Sequence, residues 1–181
     1  IEGLLIEAFE EELDGKISNE LKDYIQKMNV SAQQLADFVG NILNVARVEE
    51  NQLFLQLHEE DWPSILEEVS KDMKLRAKVN NKHITFEVDD NLPKVAVDKI
   101  SIYEVINNLL DNAIKYSDKS SEIIVRSVKR DDGLVETTVQ DFGIGIPSSV
   151  IGNLFEKFYR NHRSRAQIGG TGLGLYLSKA I

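Results

Sequence analysis

The sequence of 181 residues contains no cysteine, which excludes disulfide bonds and thiolate metal sites and fits a reducing compartment. Positive charge is also scarce, because 21 lysines and arginines are outnumbered by 30 aspartates and glutamates, and a net charge of −9 argues against nucleic-acid binding. No apolar run approaches the roughly 20 residues that a bilayer-spanning helix needs. A hydrophobic content of 42% instead predicts a folded chain with one ordinary domain and a smaller element.

Glycine is concentrated near the end of the sequence, where seven of the eleven glycines lie between Gly143 and Gly174. The same region carries four short segments in order: NNLLDNAIKYS (107–117), DFGIGIP (141–147), LFEKFYR (154–160) and GGTGLGL (169–175). Glycines let the backbone approach a ligand closely, and amides preceding a helix can cradle phosphates. Together the segments predict an ATP pocket made of an asparagine-bearing helix, an Asp-Gly turn and a glycine-rich lid.

The first 50 residues have the clearest helical pattern. Apolar residues recur at alternating spacings of four and three, at Leu21, Ile25, Met28, Ala32, Leu35, Val39, Ile42 and Ala46. Ser18 is the predicted N-cap of this helix, and a shorter helix over 1–13 is predicted to end at Asp14-Gly15. We expect residues 1–50 to form a helical hairpin that dimerises into a four-helix bundle. The alternative is that the seam packs on the chain's own second domain.

Residues 51–181 predict a second domain of mixed helices and strands. Leu53, Leu55 and Leu57 alternate as in a strand, and Asp61 with Pro63 opens a helix to about Val79. The further predicted elements are strands at Ile84, Phe86 and Val88 and at Val95 and Val97, a long helix capped by Asp98, and a hairpin of residues 123–129 and 134–139. We therefore expect an α+β fold whose second domain is a two-layer sandwich with largely antiparallel strands.

The long helix carries the strongest binding signal. Asn108 and Asn112 are four residues apart, so both amides lie on one face, and Lys115 follows one turn later. Amide oxygens suit magnesium when a triphosphate supplies the negative charge, and a lysine can contact a phosphate. The alternative is a polar face exposed to water. The opposite face is predicted to be core, with Ile102, Val105, Ile106, Leu109 and Ala113.

Asp141 ends a predicted strand and is followed by Gly143 and Gly145. Its carboxylate can accept a hydrogen bond from an adenine amino group, although an ordinary Asx turn is the default for such a heptapeptide. Tyr116 either lines the base pocket or packs in the core. A basic cluster of Lys157, Arg160, Arg163 and Arg165 lies beside the glycines, and its position favours an anionic ligand over a solvated charge run.

The four segments, in this order, resemble the N, first glycine, F and second glycine boxes of sensor histidine kinases. These kinases belong to the gyrase, chaperone, histidine kinase and mismatch-repair ATP-binding superfamily. The segment NILNVARVEENQL (41–53) also resembles the end of the dimerisation helix. The resemblance implies that Asn108 and Asn112 bind magnesium, that Asp141 binds adenine, and that Phe155 and Phe158 anchor the lid. The nucleotide-binding residues it implies are Asn108, Asn112, Lys115, Tyr116, Asp141, Gly143, Gly145, Ile146, Phe158, Arg160, Gly170, Thr171, Gly172, Leu173 and Gly174.

By the same resemblance, the protein is a homodimeric kinase that transfers the γ-phosphate of Mg-ATP to a histidine on the dimerisation helix. The phosphoryl group then passes to an aspartate on the receiver domain of a response regulator. In the ATP-hydrolysing relatives a glutamate precedes the magnesium asparagine by four residues, and Asn108, which cannot act as a general base, stands there. An ATPase is therefore the less favoured alternative, and an inactive nucleotide-binding dimeric scaffold is the other.

None of the three histidines, His58, His83 and His162, lies in the family's phosphoacceptor motif, so no catalytic residue is assigned. We expect the sequence to start just downstream of that motif and to stop within the helix after the second glycine box, before the family's final strands. We also expect a cytoplasmic location, either free or as the cytoplasmic portion of a membrane-anchored sensor. This chain itself is expected to make no contact with membrane or nucleic acid.

Overall fold

The structure is a computed structural model that describes residues 19–118, 121–160 and 170–181. Its elements are α1 (Asn19–Glu49), β1 (His58–Glu60), α2 (Trp62–Val79), β2 (His83–Val88), β3 (Val95–Val97), α3 (Lys99–Tyr116), β4 (Glu122–Lys129), β5 (Val135–Asp141), α4 (Ser148–Ile151) and α5 (Gly174–Ala180). The predicted helix over 1–13, the Asp14-Gly15 turn and the Ser18 cap lie outside the described residues, as do His162, Arg163, Arg165 and Gly169.

The chain divides into two compact units between Ile42 and Leu43. The described part of the first unit is helical, as the heptad pattern predicts, and belongs to the long helix α1. The apolar seam of α1 is exposed, with Met28 at 72% and Leu35 at 63% of full exposure. The predicted pairing of this seam with a second copy stays a prediction.

The second unit contains two small sheets. In the larger one the strand order is β2-β4-β5, with β2 parallel to β4 and β4 antiparallel to β5. The smaller sheet pairs β1 with β3 in antiparallel fashion. The β4–β5 hairpin has the predicted Asp-Asp-Gly turn, with Gly133 in the left-handed region at a φ of 86°. Since α3 lies between β2 and β4 in the chain, those two strands are connected by a crossover and run parallel.

Helices α2 and α3 pack with the larger sheet and form the hydrophobic core, which gives the second unit two layers and confirms the α+β expectation. As predicted, Ile65, Val69 and Met73 of α2 point inward. Ile84 of β2 lies opposite Ile123 of β4, and both are buried. Burial of this apolar surface is the main stabilising term for the unit.

The two predicted helix caps that lie among the described residues, Asp61 and Asp98, are confirmed. The Asp61 carboxylate accepts a hydrogen bond from the backbone amide of Ser64 at 3.1 Å, and Asp98 accepts one from Ser101 at 3.0 Å. Asp98 also accepts the backbone amide of Gln56 at 2.9 Å. The hydrogen bonds from the backbone amides of Ser101 and Gln56 lower the pKa of Asp98. Asp98 therefore fixes both the start of α3 and the chain segment that precedes β1.

The strand predicted at Leu53, Leu55 and Leu57 is wrong. The strand instead begins at His58 and is only three residues long, because only residues 58–60 lie opposite β3. The backbone amide of Gln56 bonds to a side chain, Asp98, and not to a neighbouring strand. Leu53 and Leu55 are partly buried but Leu57 is 59% exposed, so the alternating burial does not continue to the third leucine.

The predicted core face of α3 is partly wrong. Ile106 and Ala113 are buried as expected, but Val105 and Leu109 are only partly buried. Two buried residues of α3 were absent from the prediction, Leu110 and Ile114, which are 0% and 6% exposed. The buried stripe follows three- and four-residue steps from Ile106, and this is the stripe that packs in the core with α2 and the sheet.

Candidate functional site

Asn108 joins the asparagine helix to the glycine-rich segment. Its side-chain Nδ2 donates a hydrogen bond of 2.8 Å to Ser178 Oγ on α5. Its Oδ1 lies against Gly174, where an added Cβ would be 2.1 Å from that oxygen. A side chain larger than that of glycine at position 174 would therefore displace the Asn108 amide from this position. Asn112, one turn further along α3, is half-buried on the same side of the helix.

Lys115 lies one turn beyond Asn112 and forms an ion pair with Asp111, with a distance of 3.3 Å from Nζ to Oδ2. The other carboxylate oxygen of Asp111 is 3.0 Å from a guanidinium nitrogen of Arg76 on α2. The Lys115 side chain is partly exposed, and ion pairs of this kind contribute little to stability. Lys115 can therefore exchange Asp111 for a phosphate at small cost.

Asp141 is the last residue of β5, and its carboxylate accepts a hydrogen bond of 2.9 Å from the backbone amide of Gly143. This is the Asx turn that the sequence allowed. Gly143 lies against the end of α3, because a Cβ there would be 2.1 Å from the carbonyl oxygen of Tyr116. The backbone amide of Ile144 donates to that same carbonyl at 3.3 Å. The segment 141–147, here called the Asp141 loop, is thus attached to Tyr116, the residue that follows Lys115.

Sequence reasoning missed Lys82, which binds the end of α3 where the Asp141 loop is attached. Its Nζ donates to the carbonyl oxygens of Ile114 and Ser117, the latter at 2.7 Å. Desolvation by burial lowers the pKa of Lys82, while the charges of Asp118 and Asp141 oppose that shift. The last carbonyls of any helix need hydrogen-bond donors, so the sequence predicts that the end of α3 has a donor. It does not indicate that the donor is Lys82.

The glycine-rich segment packs against the end of the LFEKFYR segment. Gly172 has a φ of 73°, and a Cβ there would lie 2.9 Å from the carbonyl carbon of Phe158. Phe158 itself has a left-handed backbone with a φ of 58°. The Thr171 hydroxyl accepts a hydrogen bond of 3.3 Å from the Leu173 amide, and the side chain of Leu173 is fully buried.

The aromatic residues of this region are flanked by lysines. Lys157 forms an ion pair with Glu49 at the end of α1, and its Nζ lies 5.9 Å from the ring centroid of Tyr176. Lys179 lies 5.7 Å from the ring centroid of Phe155. Of the predicted basic cluster, Lys157 is thus paired with a carboxylate, and Arg160 is half-buried.

The structure brings three pairs of predicted residues together: Asn108 with Gly174, Tyr116 with Gly143, and Phe158 with Gly172. Three other predicted residues lie in open surroundings. Ile146 is 57% exposed, and Gly145 and Gly170 would each have open space around an added Cβ. The three contacts link all four segments into one surface through α3 and α5.

The donor set at this surface fits a magnesium nucleotide. The amide nitrogen of Asn108 is engaged by Ser178, which leaves its oxygen for a cation. Asn112 adds a second amide, and hard cations such as magnesium take amide oxygens together with substrate phosphates. Within the part of the chain that the structure describes, no helix is both long and apolar enough to cross a membrane.

The chain is similar to known proteins in sequence and in structure. Residues 97–181 match the family model described as histidine kinase-, DNA gyrase B- and HSP90-like ATPase. The aerobic respiration control sensor protein ArcB homolog of Haemophilus influenzae is 27% identical over 170 residues, covering 93% of this chain and 52% of that protein. The chain thus spans about half the length of this curated relative.

Two solved structures share the fold. Full-length ShkA in complex with AMPPNP has a TM-score of 0.77 at 24% identity, covering 93% of this chain and 35% of that one. Histidine kinase ThkA in complex with the response regulator protein TrrA has a TM-score of 0.61 at 23% identity, covering 86% and 46%. At these identities the likeness establishes the fold alone.

Proposed function

We propose that the chain carries a histidine kinase catalytic domain and that this domain binds Mg-ATP on the surface formed by α3, the Asp141 loop and the glycine-rich segment. The observation that carries the proposal is the contact of Asn108 with Gly174 and Ser178. It places the amide that would bind magnesium directly beside the backbone that would hold the phosphates. ShkA, which shares the fold, was solved with the ATP analogue AMPPNP.

Each part of the surface has a distinct role in this proposal. Asn108 and Asn112 supply amide oxygens to magnesium, and Lys115 contacts a phosphate. Asp141 accepts a hydrogen bond from the adenine amino group. The backbone from Gly170 to Gly174 surrounds the triphosphate, and α5 begins at Gly174, the end of that stretch. When bound, magnesium would neutralise phosphate charge, which lowers the barrier to phosphoryl transfer.

We propose protein-histidine kinase activity over ATP hydrolysis. Hydrolysis needs a general base that activates water, and an amide cannot accept a proton near neutral pH. The Asn108 amide is instead held by Ser178 and Gly174. The remaining contribution of the domain is positioning and charge neutralisation, which suits transfer to an external acceptor.

The proposed acceptor is a histidine on a dimerisation helix, supplied from outside this sequence, and the final acceptor is an aspartate of a response regulator. ThkA, which shares the fold, was solved with a response regulator. The exposed apolar seam of α1 supports pairing with a second copy of the chain.

Calorimetric titration with ADP, in the presence and absence of magnesium, tests the nucleotide site. We expect binding that magnesium strengthens, and a folded chain that binds no nucleotide would overturn the proposal. A second assay adds a separate chain that carries an acceptor histidine and follows transfer of labelled phosphate. Labelled histidine supports the kinase, whereas free phosphate without labelled protein would favour an ATPase.

A further inference from the structure

Ser178 makes a polar contact between α5 and α3. It lies one turn after Gly174, so both residues face the Asn108 amide, with Ser178 Oγ 2.8 Å from Asn108 Nδ2. Gly174 lies close to the oxygen end of the same amide. Ser178 is half-buried, and the residue of this helix that packs in the interior is Leu177, at 8% exposure. The hydroxyl of Ser178 is therefore directed to Asn108 and does not fill the interior.

The orientation of an asparagine amide is decided by its partners. Rotation about the last side-chain bond of asparagine is soft and roughly two-fold, so either the oxygen or the nitrogen can face a ligand. A cation binds only the oxygen end of the amide, because the NH2 group has no lone pair available for coordination. A hydroxyl that accepts a hydrogen bond from the NH2 group selects the orientation in which the oxygen remains available.

We propose that Ser178 is a positioning residue that holds the NH2 group of Asn108 and so presents the Asn108 oxygen to magnesium. This inference rests on the proposed nucleotide site and adds to it. Ser178 follows the glycine-rich segment on the same short helix, so the position of that segment sets the orientation of the amide. The helix that follows the glycine-rich segment thereby also orients the side chain that would bind magnesium.

Four variants test the inference. Ser178→Ala removes the hydroxyl, while Ser178→Thr and Ser178→Val have similar shapes and differ chiefly in the hydroxyl. Ser70→Ala is the matched control, since Ser70 is also a half-buried helical serine, bonded to the Glu67 carbonyl on α2. ADP affinity is measured for each by calorimetry with magnesium and with a chelator. Folding is checked by circular dichroism.

The magnesium effect is the ratio of ADP affinity with magnesium to ADP affinity without it. We expect Ser178→Ala and Ser178→Val to reduce this ratio about 5- to 10-fold, the typical contribution of one hydrogen bond. Affinity without magnesium should stay within about twofold, and Ser178→Thr and Ser70→Ala should behave as wild type. In amide nitrogen–proton NMR spectra, the side-chain NH2 signals of Asn108 should shift in the alanine and valine variants but not in the threonine variant.

The outcomes are distinguishable. If the wild-type chain shows no magnesium-dependent ADP binding, the proposed function fails first. If the wild type binds and the folded valine variant keeps the full magnesium effect, the inference about Ser178 is overturned while the proposed function stands. Equal losses with and without magnesium would also overturn it, because they would indicate a purely structural role. If the alanine variant does not fold, the threonine and valine pair still decides.

Discussion

Lys82 donates a hydrogen bond of 2.7 Å from its ammonium group to the carbonyl oxygen of Ser117, 35 residues further along the chain. A second hydrogen bond joins it to the carbonyl of Ile114 in the last turn of α3. A cation at a helix C-terminus satisfies unpaired carbonyls and interacts favourably with the helix dipole. Because Tyr116 lies between these two acceptors and contacts Gly143, Lys82 also fixes the junction with the Asp141 loop.

Lys82→Met should weaken both the fold and the site. We expect the free energy of unfolding to fall by about 1–3 kcal/mol, because two partly buried carbonyls lose their donor. ADP affinity should fall several-fold as the Asp141 loop loosens. Urea denaturation and calorimetry measure the two effects. Lys71→Met is the control, because the ion pair of Lys71 with Glu67 is exposed. Wild-type values for both variants would contradict the role of Lys82.

Asn112→Ala should reduce the affinity for Mg-ADP by about 10- to 100-fold, since a polar ligand to a charged group contributes about 1.5–3 kcal/mol. Binding without magnesium should change much less. Calorimetry with magnesium and with a chelator separates these effects. Asn91→Ala, in the exposed turn between β2 and β3, is the control. An unchanged magnesium effect in Asn112→Ala would remove this residue from the metal site.

Asp141→Asn should weaken adenine nucleotide binding by about tenfold, because a hydrogen bond to a charged acceptor is roughly twice as strong as a neutral one. The Asx turn should survive, since the asparagine oxygen can still accept from the Gly143 amide. Asp132→Asn is a matched control, because Asp132 accepts the Leu134 amide at 3.1 Å in a similar turn of the β4–β5 hairpin. Equal ADP affinities in the two variants would exclude the adenine role.

Gly143→Ala should disrupt the junction of the Asp141 loop with α3. The new methyl group would meet the Tyr116 carbonyl at 2.1 Å, so backbone must move, and overpacking of this kind costs about 1–3 kcal/mol. We expect a lower melting temperature together with weaker ADP binding. Gly152→Ala is the control, since Gly152 has a φ of −59° and an added Cβ there meets nothing within 4 Å. Tolerance of Gly143→Ala would show that the loop is not held at this contact.

Asp98 makes stability depend on acid pH. Its pKa is lowered in the folded chain by hydrogen bonds from the Ser101 and Gln56 amides. A lowered aspartate pKa adds stability that is fully present above the unfolded pKa and is lost as pH falls through the folded pKa. Asp98→Asn should therefore be less stable than wild type at neutral pH, and the difference should shrink as the pH falls below the ordinary aspartate pKa of about 3.9 and through the lowered pKa of the folded chain. Urea unfolding over this pH range measures it, and a pH-independent difference would contradict it.

Features that depend on neighbouring residues were predictable from the sequence. The caps at Asp61 and Asp98 follow from an aspartate before a helical pattern, and the β4–β5 hairpin follows from its turn residues. The asparagine helix was also predictable, because Asn108, Asn112 and Lys115 fall on one face whatever the tertiary packing.

Features that depend on distant residues were not predictable. The leucine alternation before β1 suggested a strand, yet strand length is set by the three residues of β3 that are available for pairing. The Asn108–Ser178 bond joins residues 70 positions apart. The stripe of α3 that is buried was misjudged by about one position, because it depends on where α2 and the sheet contact it.

The buried indole of Trp62 has a practical consequence. Trp62 is the only tryptophan of the sequence and is 6% exposed, and its Nε1 donates to Ser127 Oγ at 2.8 Å and Thr137 Oγ1 at 2.9 Å. Its fluorescence therefore reports on the interior of the second unit alone, and exposure to water shifts the emission to longer wavelength. Far-ultraviolet circular dichroism, by contrast, is dominated by helix, including the long α1. Recording both signals during one denaturant titration therefore tests whether the first and the second unit melt separately.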